Sequence, residues 1–131
     1  MSADPAFGSV PRVASNVLGT FDASLTAPSN VATILTGVAA GTQVEEIIVL
    51  GLATTVAEVV NIFLYDGSVY HLYDQMLITA VTSSTTAAAF RQVNRYGDLF
   101  LPSTSWSLRA THTITTNDSK LNLTATGWDF T

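Results

Sequence analysis

A chain of 131 residues is long enough for one domain with one sizeable core. Ten acids against five bases give a formal net charge of -5, and there is no cysteine. The bases (Arg12, Arg91, Arg95, Arg109 and Lys120) are scattered apart from the Arg91/Arg95 pair. Nucleic-acid binding, which needs a basic patch, is therefore not expected, and disulfides and thiolate metal sites are excluded.

Charged residues make up only 11% of the chain, far below the usual quarter, and Ser and Thr supply the missing polarity at about a quarter of it. Burying Thr against a partner needs one satisfied hydrogen bond, whereas burying Lys or Glu needs charge compensation. Such a surface suits a protein that assembles, although Thr also favours strands wherever it sits. The longest apolar run, Ile47 to Ala53, falls short of the ~20 residues of a membrane helix. No basic segment followed by an apolar block opens the chain, so the expectation is a soluble product without a signal peptide.

Residues 1–16 contain Pro5, Gly8 and Pro11 and no sustained period, which predicts an extended N-terminal arm. Phe7, Val10 and Val13 are more apolar than a solvated tail needs. Together with Pro11 and Arg12 they are the candidate partner-binding residues, docking on a neighbouring subunit. Residues 17–131 read as one β domain. Leu18 to Leu25 leads into the turn cluster Ala27-Pro28-Ser29-Asn30, and the β-branched run Val31 to Thr36 stops at Gly37. Thr42 to Ala53 is a long apolar strand whose Gly51 marks a bulge or a close backbone contact.

Ala57 to Tyr65 and Val69 to Ala80 flank Asp66-Gly67, the signature of a type I′ hairpin turn. Ala87 to Val93 and Leu99 to Leu101 are further strands. Ser105 to Thr116 and Lys120 to Phe130 read as a second hairpin turning at Asn117-Asp118-Ser119. In it Trp106, Leu108, Ala110, His112 and Ile114 share one face, and Leu121, Leu123 and Ala125 share another. A helix through Val56 to Leu64 also fits the spacing, but it lacks a cap and runs into Asp-Gly. Eight or nine short strands predict an all-β antiparallel sandwich or jelly roll.

No residue pattern points to catalysis. His71 and His112 lie in separate strands outside any H-x-x-x-H arrangement, and no G-x-S-x-G elbow occurs. Glu45 and Glu46, as strand neighbours, are expected on opposite faces and so cannot act as a pair. Asp74, Asp98 and Asp129 lack a calcium-loop spacing. No enzyme activity, cofactor or metal is expected. Tyr65, Tyr70, Tyr73, Tyr96, Trp106 and Trp128 are candidates for stacking on sugar rings, but Tyr70 and Tyr73 fall on opposite faces.

The segments Val60 to Gly67 with Tyr70-His71-Leu72, Leu99 to Pro102, Trp106 to Thr111 and Ala125 to Asp129 resemble a pattern in small virion proteins of tailed bacteriophages. The likeness spans roughly residues 25–130 and rests on turn and strand residues. It implies a capsid decoration (cement or head auxiliary) protein: a β-sandwich, commonly trimeric, bound to the major capsid protein on the outer shell. It implies no catalytic residues. The expected location is the virion surface after synthesis in the host cytoplasm, with no nucleic-acid or membrane partner. The alternative is a carbohydrate- or receptor-binding module of a phage tail, fibre or baseplate.

Overall fold

The computed structural model describes residues 8–131. Eight strands, β1 (Gly8–Leu18), β2 (Ala32–Thr36), β3 (Thr42–Gly51), β4 (Glu58–Tyr65), β5 (Tyr70–Ile78), β6 (Arg91–Leu101), β7 (Ser107–His112) and β8 (Leu121–Phe130), form two four-stranded antiparallel sheets. The first has the order β1-β8-β3-β6 and the second β2-β7-β4-β5. First pairs with last, second with seventh, third with sixth and fourth with fifth. The chain is thus one long hairpin rolled into a sandwich, the jelly-roll order. Among the described strands every connection except β4–β5 crosses between the sheets, which leaves β4–β5 as the apex.

That apex is the Asp66-Gly67 hairpin, with a different turn from the expected one. Gly67 alone has positive φ, at 100°, so the turn centres on Gly67-Ser68 rather than Asp66-Gly67. A type I′ turn requires positive φ at both central positions, whereas a glycine-first turn of the II′ kind requires it only at the first. Asp66 instead works through its side chain, accepting hydrogen bonds from the Ser68 and Val69 amides and from His71 Nε2. The His71 bond, then those two amides, hold the Asp66 carboxyl down at about 2.

The core lies between the sheets. Val44, Ile47, Val49, Leu99, Leu101, Leu121, Leu123 and Ala125 of the first sheet face Ile34, Leu35, Val60, Ile62, Met76, Ile78, Leu108 and Ala110 of the second. Each such aliphatic side chain contributes about 1.5–3 kcal/mol by leaving water. Burial switches phase along β3: Thr42 and Val44 are buried, then Ile47 and Val49. A bulge between Val44 and Glu46 inserts the extra residue. As a result neither Glu45 nor Glu46 faces the core, which corrects the expectation that they lie on opposite faces.

Three strand assignments also change. Residues 8–16 of the expected arm run on through Val17 and Leu18 as β1, the edge strand beside β8. Pro11 fits there because an edge strand leaves one side of its backbone unpaired. Of the two expected strands 87–93 and 99–101, residues 91–93 and 99–101 belong to a single strand, β6, with irregular pairing opposite the β3 bulge, while residues 87–90 lie before it. The second predicted hairpin does not form. β7 pairs with β2 and β4, while β8 pairs with β1 and β3 in the other sheet. The residues between them, with a 3-10 turn at Thr115–Asn117, cross the end of the sandwich. Asn117 is wholly buried there, so a residue expected to form a solvent turn instead plugs the core's end.

Candidate interaction surface

The outward side chains of the first sheet form a grid of four rows across β1, β8, β3 and β6. The rows are Pro11–Trp128–Gln43–Phe100, Val13–Thr126–Glu46–Arg95, Ser15–Thr124–Ile48–Val93 and Val17–Asn122–Leu50–Arg91. Val13 is 69% exposed, and Val17, Leu50, Phe100 and Trp128 are also exposed. The grid's charges are Arg91 and the pair Arg95 Nε–Glu46 Oε2 at 3.1 Å. Strands about 4.8 Å apart and rows ~7 Å apart give this face roughly 500 Å². That is below the ~800 Å² per partner of a standard stable interface, so a lasting contact needs several copies or a second face.

Of the expected partner-binding residues, Phe7 lies outside the described residues. Val10, Pro11 and Val13 are exposed on β1, and Val13 and Pro11 enter the grid. Arg12 does something else. Its guanidinium binds both Asp129 oxygens, at 3.0 and 3.2 Å, and donates to the Thr36 carbonyl on β2 at 3.0 Å. Asn16 donates likewise to the Thr33 carbonyl. These bonds stitch the edges of the two sheets together and use carbonyls that β2 would otherwise leave open to another strand. Arg12→Ala is expected to cost about 1 kcal/mol, read as a lower urea midpoint, with no loss of exposed apolar surface.

The opposite open side, between β5 and β6, is closed by acids and phenols. Asp74 accepts from Tyr96 at 2.7 Å and from Asn94 at 3.2 Å, and Asp98 accepts from Tyr73. Burial, and then its aspartate, push the Tyr73 hydroxyl up to about 12, and the same causes raise Tyr96 further. Both phenols are therefore neutral donors at physiological pH. They are structural, as is Asp129, which also accepts from Thr42 at 2.8 Å.

The two histidines part company. His71 is exposed and belongs to the apex turn. His112 is wholly buried, with Nδ1 3.1 Å from Glu58 Oε1 and Nε2 2.7 Å from the Gly19 carbonyl and 3.1 Å from Asp118 Oδ1. Both ring nitrogens face acceptors, so the ring has no lone pair to offer a metal or a proton donor. It lines one wall of a cavity of about 350 Å³ beneath the 19–31 connection, where Thr20, Ser29 and Asn30 contribute polar groups. Among the described residues no group of three His, Cys, Asp or Glu is placed to hold a metal.

The sequence and fold were compared with family models, curated proteins and solved structures. No match was found in any of the three comparisons. The fold is a two-sheet antiparallel sandwich.

Proposed function

We propose that this protein is a structural virion component, a capsid decoration protein of a tailed bacteriophage. In this reading it binds the major capsid protein on the outside of the head as a homotrimer, after synthesis in the host cytoplasm. The observation that carries this reading is the outward grid of the first sheet, rich in aliphatic and hydroxyl side chains, its charges confined to one ion pair and Arg91. Its modest area fits attachment through several copies, where linked weak contacts add up to firm binding. The net acidity suits an outer surface and disfavours contact with packaged DNA.

The test is co-sedimentation with parent-phage shells that lack the protein. The wild-type chain is expected to saturate the shells at a fixed ratio. A Val13→Asp/Val17→Asp double variant, altered only at exposed edge positions, should bind at least about tenfold more weakly while keeping its circular dichroism. Equal binding by the two proteins would overturn the reading. The tail-module alternative predicts hits on a glycan array, with no saturable binding to heads.

A further inference from the structure

The second sheet's outward face carries a different feature. Phe63 lies outside the sandwich core yet is fully inaccessible to solvent. Arg109, its cross-strand partner on β7, is placed with its guanidinium 4.1 Å over the Tyr65 ring and 5.8 Å from that of Tyr70. Tyr70 packs edge-on against Phe63. Two bonds fix the guanidinium plane: Nε donates to Ser107 Oγ at 2.9 Å and Nη1 to Tyr70 Oη at 3.0 Å. All of these partners are neutral. Among the described residues Nη2 makes no hydrogen bond and no carboxylate pairs with Arg109.

None of the outward residues of β4, β5 and β7 is acidic, in a chain where acids outnumber bases two to one. Asp66, in the neighbouring turn, is already engaged by His71 and two amides. A half-buried guanidinium held rigid by aromatic faces, with unused donors on its end, is preorganised for a planar anion.

We infer that Arg109 and the tyrosines around it form a carboxylate-recognition site, which takes an acidic side chain of a partner protein. A protein carboxylate is favoured over an acidic sugar because the Tyr65 ring is already occupied. Arg109 lies over it, and Tyr70 is only 4.3 Å away, leaving poor purchase for a stacked sugar. Neither described cavity includes Arg109, Tyr65 or Tyr70, whereas small-molecule sites are concave. The site is independent of the shell-binding reading, which concerns the other sheet.

The experiment titrates the whole protein with poly-L-glutamate, following the Arg109 Nε–H resonance by NMR and the affinity by calorimetry. Poly-L-glutamate is expected to shift that resonance, and binding should weaken with salt. Arg109→Met retains the apolar contact with Tyr65 and should weaken binding at least about tenfold, as Arg109→Lys also should by losing the planar fork. Lys120→Met, removing a cation outside both surfaces, should leave binding unchanged. An unmoved Arg109 resonance, or equal affinity in the Arg109 variants, would overturn the inference. So would binding of polygalacturonate at Arg109 without binding of poly-L-glutamate, which would assign the site to an acidic glycan.

Discussion

Glu58→Ala is expected to remove about 3–5 kcal/mol of folding stability, measured by urea unfolding at pH 6. Glu58 and His112 form an ion pair whose side chains are both completely inaccessible. The carboxylate also accepts from the Thr113 amide at 2.8 Å and from the Asn117 side chain. Removing it takes a partner from the imidazole Nδ1 and from the Asn117 side-chain amide, both on wholly buried residues. The loss also spreads along the chain. His112 holds the Gly19 carbonyl, its own carbonyl accepts from the Asp22 amide, and Asn117 bonds to both the amide and the carbonyl of Val56. One cluster therefore ties β4, β7, the 19–31 connection and the crossing into β8.

The same cluster sets a pH profile. Burial alone would push Glu58 up, but the bonds from His112, Asn117 and Thr113 outweigh it and hold the carboxyl below its usual 4.5. Burial would likewise push His112 down, but Glu58, the Gly19 carbonyl and Asp118 outweigh it and raise the imidazole above its usual 6.5. The histidine's contribution is therefore fully present below about pH 6.5 and lost as pH rises through the folded value. The glutamate's contribution is present above about pH 4.5 and lost as pH falls through its own lowered value. The pair stabilises most between these limits. Wild type should lose stability on going from pH 6 to 9 relative to His112→Gln. Parallel profiles for the two proteins would contradict the ion pair.

Gly127→Ala is the second large effect, expected to cost about 3 kcal/mol or more, with Gly127→Val failing to fold. Gly127 pairs with Val44 of β3 at the bulge. A Cβ there would stand 1.9 Å from the Gln43 carbonyl oxygen and 3.1 Å from the Val44 Cα. Both obstacles are backbone in a strand flanked on both sides, so no side-chain rotation relieves them. The β3–β8 ladder would have to open. Gly97→Ala is the control: nothing lies within 4 Å of its Cβ position, and its stability by urea unfolding should stay within about 0.5 kcal/mol of wild type. Equal midpoints for the two variants would refute the close approach.

Local signals in the sequence marked the sandwich well. Asp66-Gly67 identified the hairpin that proves to be the apex, and alternation in Leu121, Leu123 and Ala125 picked out core positions. What local signals could not reveal was which sheet each strand joins. Asn117-Asp118-Ser119 has turn chemistry, yet it bridges two sheets, because β7 and β8 are each claimed by other strands. Bulges hid the rest. The irregular pairing around residues 95–99 breaks the alternation along β6, and the bulge at Glu45 turns both glutamates away from the core.

The site was legible in part. Val10 and Val13 stood out as apolar, but not the place of Pro11 and Val13 in a grid beside Trp128 and Thr126, more than a hundred positions away. Arg12 gave no sign of its bond to Asp129, which forms only when β1 lies beside β8. The buried cluster did leave a trace. Glu58 sits on the inward phase of an apolar run, and His112 falls on the apolar face of its own. Two ionisable residues at inward positions on different strands are the signature of a buried pair.

Electron cryomicroscopy of shells incubated with the protein is the decisive experiment. Repeating density is expected on the shell exterior into which the sandwich fits, with the outward grid of β1, β8, β3 and β6 against the capsid or a neighbouring copy. Bare shells, or a bound sandwich that leaves that grid entirely facing solvent, would contradict the proposed attachment.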